Sequence, residues 1–161
     1  MQEAVISTNS ALKTAVKIIF SIFISSLLVF IYLIYFYIKT QVQSDVIIKG
    51  PSIRLTIDAI TYIAKIDMWF IFTGAFIGAF MAYGLFRYLK KHGYKYDNPA
   101  INAVFGGLIG FAGSITGALI YLIYGTINLG FLAFFGVLFW CLLIVIAGAL
   151  SGFTYGLLRL H

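Results

Sequence analysis

Four glycines at helical spacing mark one uncharged stretch of this chain. No charged side chain lies between residues 101 and 124, and Gly106, Gly110, Gly113 and Gly117 follow one another at steps of four, three and four. These steps place all four on one face of a helix. At about 1.5 Å of rise per residue, a run of this length spans the hydrocarbon core of a bilayer. We therefore expect a membrane helix whose glycine face lets a second helix approach closely.

The rest of the chain has the composition of a polytopic membrane protein. Of its 161 residues, 62% are apolar, whereas a soluble domain has about half. The uncharged runs predict four spans, at about 18–38, 68–86, 100–124 and 129–158, within a single membrane domain that covers 1–161. The predicted fold class is an all-α membrane protein with four transmembrane helices, glycine-rich packing faces and one short amphipathic helix outside the membrane.

The second and fourth spans repeat the small-residue pattern of the third. Gly74 and Gly78 lie four residues apart in the second span, and Gly148, Gly152 and Gly156 keep the same spacing in the fourth. We predict helix packing at all these glycines. The third span could pack against the fourth span, the second span or another chain, and the sequence leaves all three partners possible. The first span has no glycine, so its surface is expected to face lipid or to pack loosely, and the span is interpreted as an anchor.

The borders of the third and fourth spans carry recognisable signals. Asn98 is expected to cap the third span and Pro99 to open it. Residues 126–128 predict a short polar turn, which would join the two spans into an antiparallel hairpin. The run of 30 uncharged residues over 129–158 exceeds the length that a bilayer requires. This run is therefore expected to tilt or to project from the membrane.

A short amphipathic helix is predicted over residues 52–66, after the break at Gly50 and Pro51 and with Ser52 as its cap. Isoleucine and leucine occupy most of its surface. One narrow polar stripe runs along it at steps of four, three and four, made of Arg54, Asp58, Thr61 and Lys65. Such a helix lies in the membrane interface or docks on a partner. It is interpreted either as a docking or gating helix or as a re-entry helix packed against the bundle.

The cations lie between the apolar runs. Arg87, Lys90, Lys91 and Lys95 make the most basic connection, and we predict that they contact anionic lipid headgroups or an acidic partner surface. The side that holds this connection has seven Lys and Arg residues against four on the other side. The excess predicts that both termini are cytoplasmic. The expected location is a bacterial inner membrane, with an organellar inner membrane as the alternative.

No group of side chains in the sequence suggests catalysis. His92 and His161 lie in a connection and at the last position, without a carboxylate at motif spacing, and Cys141 lies alone in an apolar run. We predict no catalytic residue, no cofactor, no metal site and no binding of nucleic acid. The spans hold no charge, which argues against a secondary transporter. Polar residues such as Asn102 and Ser114 are expected to form hydrogen bonds between helices, with a pore lining as the alternative.

These features predict a non-enzymatic structural or assembly subunit of a larger integral membrane complex, such as a secretion, translocation or energy-transducing assembly. The expected partners are membrane lipids, anionic on the cytoplasmic side, together with other membrane subunits or copies of the same chain. Two alternatives stay open. One is a homo-oligomer that forms a pore or channel, and the other is a facilitator for a small neutral solute.

Overall fold

A computed structural model of the protein describes residues 2–44, 53–95, 98–130 and 134–158, with the side chains of 10–40, 57–95, 98–130 and 134–158. All regular elements in these residues are helices. They are α1 (Gln2–Ser44), α2 (Ile53–Lys65), α3 (Asp67–Lys91), α4 (Pro99–Leu129) and α5 (Phe134–Leu157). Four of them are long and apolar enough to cross a membrane, and α2 is the short one. The predicted fold class is therefore confirmed.

The four long helices alternate in direction and pack as a bundle. Ile18 near the start of α1 packs with Phe86 and Tyr155, which lie near the ends of α3 and α5. Further along α1, Leu33 packs with residues near the starts of the same two helices, Ile71 and Leu143. Helix α1 is therefore antiparallel to both α3 and α5. Helix α4 is antiparallel to α5, since its Gly106 and Gly110 meet Gly152 and Gly148 in reverse order. The beginning of the α1 span and the end of α5 lie at the same end of the bundle.

Helix α4 starts as predicted but ends later. The Asn98 side chain accepts hydrogen bonds from the backbone N–H groups of Ala100 and Ile101 at 3.0 and 3.3 Å, and Pro99 occupies the first turn. The predicted turn over 126–128 is wrong, because the helix continues through these residues. The chain leaves the helix at Gly130, whose φ of 80° suits a residue without a Cβ.

This later end removes the expected excess length of the last span. Helix α5 has 24 residues and starts at Phe134, close to the length that a bilayer core needs. The uncharged run after residue 128 therefore contributes its first residue to the end of α4 and holds the whole of α5. The predicted span over 129–158 is too long, because the run does not form one continuous helix.

The first helix has one buried face, although most of its span is exposed. Ser21 and Ser25 are fully buried, and Val29 and Leu33 continue the same buried face at steps of four. The two serine hydroxyls donate to carbonyls of their own helix, Ser21 to Lys17 and Ser25 to Ser21, each at 2.7 Å. These small side chains let α1 approach its neighbours closely, whereas the buried hydroxyl of Ser26 has no hydrogen-bond partner among the described residues. Serine thus takes the small-residue positions of this span, which has no glycine.

Candidate functional site

Helices α3 and α5 touch through their backbones. A Cβ atom built on Gly74 would lie 2.7 Å from the Cα atom of Ile144, and one built on Gly78 would lie 2.6 Å from the carbonyl carbon of Gly148. Carbon atoms in contact are normally about 3.5–4.0 Å apart. The contacts advance together along both chains, so α3 and α5 run parallel. Only glycine allows this separation.

Helix α4 reaches the backbone of α5 from another side. A Cβ on Gly106 would meet the carbonyl group of Gly152, and a Cβ on Gly110 would lie 3.1 Å from the Gly152 Cα atom. Near the end of α5, a Cβ on Gly156 would lie 2.7 Å from the Asn102 carbonyl carbon. We call the main-chain contacts of α5 with α3 and α4 the glycine seam. Its members are Gly74, Gly78, Gly106, Gly110, Gly148, Gly152 and Gly156.

Gly148 belongs to both contacts of the seam. A Cβ at this position would collide with the Ser114 hydroxyl of α4 and would lie 2.9 Å from the carbonyl oxygen of Gly74 in α3. The Ser114 hydroxyl itself donates to the Gly110 carbonyl of its own helix at 2.6 Å. Helix α5 therefore lies between α3 and α4 at this level, with main-chain contact on both sides and the buried Ser114 hydroxyl added on the α4 side.

The other two glycines of the α4 stripe face a different helix. A Cβ on Gly113 would lie 2.6 Å from Met81 Cγ, and a Cβ on Gly117 would lie 2.8 Å from Ile77 Cδ1, both on α3. Helix α4 therefore has two partners within this chain. The first half of the stripe meets the backbone of α5, and the second half meets side chains of α3.

The polar residues of the spans mostly form hydrogen bonds along their own helices. Thr154 donates to Leu150 at 2.6 Å and Thr116 to Ala112 at 3.4 Å, as Ser114 does to Gly110. Asn102 differs, since it is fully buried and its side-chain amide has no hydrogen-bond partner among the described residues. The hydroxyls thus serve their own helices, and the predicted hydrogen bonds between helices are not formed by these residues.

A buried carboxylate joins α3 to α5 at the other end of the bundle. Asp67, the first residue of α3, is 4% exposed, and its Oδ1 accepts a hydrogen bond from Trp140 Nε1 at 3.1 Å. Trp140 stacks on Phe70 with ring centroids 5.0 Å apart, and Tyr121 of α4 contacts the same phenylalanine. Asp67 lies between the predicted helix over 52–66 and the predicted span over 68–86, so no local pattern in the sequence predicts this contact.

The four predicted lipid-contacting cations lie together at the end of α3 and just beyond it. The side chains of Arg87, Lys90, Lys91 and Lys95 are all exposed. Gly93 follows the end of the helix with a φ of 78°, and Tyr94 donates its backbone N–H to the Leu89 carbonyl at 3.0 Å. This glycine-ended turn satisfies the last carbonyls of the helix. The cations of the last turn also interact favourably with the negative end of the helix dipole.

Helix α2 presents three different faces. Ala59 and Ile63 are buried against the bundle. Asp58, Thr61 and Lys65 of the predicted polar stripe are exposed on another face, whereas the side chain of Arg54 lies outside the described residues. A third face is apolar and exposed, and it consists of Ile57, Ile60 and Ala64. Steps of three and four residues separate these members, so each set shares one side of the helix.

No group of three or more metal-ligating side chains occurs in the part of the chain that the structure describes. The candidate site therefore consists of the glycine seam, the Asp67 contact and the exposed faces of α2 and α3. Comparison of the chain with protein-family models, curated proteins and solved structures found no match in any of the three.

Proposed function

We propose that this chain is a non-enzymatic structural subunit of a larger integral membrane complex of the secretion, translocation or energy-transducing type. The glycine seam is the observation that carries this proposal, because the backbone of α5 contacts the backbones of both α3 and α4. Main-chain contact leaves no room for a solute between these helices. A centre of this kind supports a scaffold that holds its shape within an assembly.

Helix α2 supports the proposal with a surface for a partner. Its buried face of Ala59 and Ile63 attaches it to the bundle, and exposed Ile57 and Ile60 suit the apolar side of a membrane interface. The polar face with Lys65 is then directed to the aqueous side. A neighbouring subunit with complementary charge would bind this polar face while the apolar face stays in lipid.

The proposed subunit lies in a bacterial inner membrane with both termini in the cytoplasm, and its basic connection binds anionic headgroups there. Each exposed cation near such a surface contributes about 1 kcal/mol of attraction. Replacing Lys90, Lys91 and Lys95 with Gln should lower the anionic lipid that copurifies with the protein. The control replaces with Gln the exposed Lys39, which lies at the opposite end of the bundle. Equal lipid content in both variants would contradict this contact.

Native mass measurement after mild detergent extraction tests the main proposal. We expect the chain to be found with unlike partner chains in fixed ratio, and Lys65→Glu to release at least one of them. Lys39→Glu, a charge reversal at an exposed position near the end of α1, should retain the complex. Masses that are multiples of one chain would instead favour the homo-oligomer. A monomer under all extraction conditions would contradict both readings.

A further inference from the structure

A cavity of about 150 Å³ lies between α1, α2, α3 and α5. Thr40, where the candidate span of α1 ends, and Asp67, which starts α3, both line it. The cavity therefore lies at the end of the apolar spans, at the depth where lipid headgroups and water meet the protein. Its position is distinct from the glycine seam and from the basic connection.

The cavity wall combines one carboxylate with several aromatic rings. Asp67 is buried, with only 4% of its surface exposed. Four aromatic residues share the wall with it, namely Phe36, Tyr37, Tyr62 and Phe139. The rings of Tyr37 and Tyr62 stack with centroids 6.1 Å apart, which joins α1 to α2 at the cavity. No Lys or Arg is present among the described residues that line it.

The carboxylate of Asp67 is incompletely satisfied by the described residues. Its hydrogen bond from Trp140 occupies Oδ1, whereas an ionised carboxylate accepts about four hydrogen bonds. A buried carboxylate with so few partners is unfavourable in its ionised form, and a cation in the cavity would stabilise that form by supplying a counter-charge. The Thr40 hydroxyl supplies no donor, because it donates to the carbonyls of Phe36 and Tyr37 at 3.1 and 2.9 Å. The cavity thus favours a cation as its occupant.

The wall also distinguishes between kinds of cation. Hard metal ions require about six or more oxygen ligands, and this wall offers one carboxylate and a few hydroxyls. An organic ammonium group gains instead from aromatic faces and from a nearby carboxylate. The volume equals that of roughly five water molecules, which suits a small ammonium headgroup and is too small for a drug-sized ligand.

We propose that the Asp67 cavity binds a small organic ammonium group, carried either by an ethanolamine lipid headgroup or by a free alkylammonium ion. The carboxylate forms the ion pair, and the rings of Tyr37 and Tyr62 contact the apolar part of the cation. Trp140 holds the carboxylate in place through its indole N–H group. This proposal is independent of the structural role proposed for the whole chain.

Trp140 provides a built-in reporter for the test. The chain has two tryptophans, so Trp69→Phe leaves Trp140 as the only one. In a detergent without amines, titration with ethanolammonium or tetramethylammonium chloride should change the Trp140 emission in a saturable way. Sodium chloride at equal ionic strength should not. An absent or non-saturable ammonium response, or an equal response to sodium, would overturn the proposal.

Matched variants separate the ion pair from a general effect on the fold. Asp67→Asn should weaken ammonium binding by about thirty-fold or more, as expected for loss of a buried charged partner, whereas Asp58→Asn on the exposed face of α2 should not. Tyr62→Phe keeps the ring and should bind as the parent does, and Tyr62→Leu should weaken binding by roughly ten-fold. Equal affinities of the two Tyr62 variants, or full binding by Asp67→Asn, would contradict the assignment.

Lipid nanodiscs distinguish the two sources of the ammonium group. If the headgroup is the natural occupant, phosphatidylethanolamine discs should shift the titration with free ammonium to higher concentrations relative to phosphatidylglycerol discs. If a soluble amine is the occupant, the two titrations should coincide. Both outcomes require the Asp67-dependent response, and loss of that response in both kinds of disc would reject the site.

Discussion

Alanine at Gly78 is expected to separate α3 from α5. The added Cβ would lie 2.6 Å from the Gly148 carbonyl carbon and 2.7 Å from its Cα atom. Carbon atoms in contact are about 3.5–4.0 Å apart, so the two helices must move apart locally by roughly 1 Å. The obstructing atoms belong to a backbone and cannot rotate away as a side chain does. The backbone of α5 must therefore shift away from α3 near Gly148.

The cost follows from the contacts that this movement weakens. A gap of about 0.5–1 Å removes roughly a quarter to a half of the attraction of each atom pair, and overpacking of a close-packed site costs about 1–3 kcal/mol. Gly148 also contacts α4, so moving α5 disturbs a second interface. We place the cost at the upper end of that range. Alanine recovers about 0.5–1 kcal/mol through its preference for the helix, which leaves a net loss of about 2 kcal/mol.

Gly84→Ala is the matched control on the same helix. A Cβ at Gly84 meets nothing within 4 Å, so this variant should gain up to about 1 kcal/mol from helix preference. Thermal unfolding in detergent, followed by size-exclusion chromatography, should give a midpoint about 4–8 °C lower for Gly78→Ala. The Gly84→Ala midpoint should equal or exceed that of the parent. Equal midpoints for the two variants would refute main-chain contact between α3 and α5.

Three further outcomes are expected. Gly110→Ala should lower the unfolding midpoint in detergent more than Gly113→Ala, since the first meets the backbone of α5 and the second meets the Met81 side chain; the reverse order would contradict the division of the α4 stripe. In a cysteine-free background, a membrane-impermeant thiol reagent on intact cells should label cysteine at Ser44 and not at His92, and labelling at His92 would overturn the predicted orientation. Ile57→Glu should move α2 away from the membrane interface, as measured by the depth of a spin label on α2, and an unchanged depth would show that its exposed apolar face does not contact lipid.

The spans were predictable because they depend on local composition, which can be read from the sequence. A long apolar run without charges is stable in the hydrocarbon core of a membrane, and a glycine at every third or fourth position defines one face of a helix. The start of α4 was predictable for the same reason, since Asn98 and Pro99 act within one helical turn. Its end was not, because a helix continues through Thr126 and Asn128 when no residue there requires a different backbone conformation.

The partners of each face depend on residues far apart in the chain, and local patterns do not specify them. The α4 stripe divides between two helices because α5 crosses only part of it, which the spacing of Gly106 to Gly117 does not reveal. The burial of Asp67 likewise depends on Trp140, 73 positions later. The serine face of α1 could have been predicted from local spacing, since Ser21 and Ser25 are small residues four positions apart.

The two kinds of contact around α4 have different mechanical consequences. Contact with α5 through Gly106 and Gly110 joins backbones, so it fixes the distance between these helices. Contact with α3 through Gly113 and Gly117 uses the flexible side chain of Met81 and the end of Ile77, which adjust to small movements. Any rearrangement of the bundle should therefore keep α5 attached to its neighbours and change the packing between α3 and α4. A ligand in the Asp67 cavity lies at the start of α3, at the interface of α3 with α5 and α1, and would act first on the position of that helix.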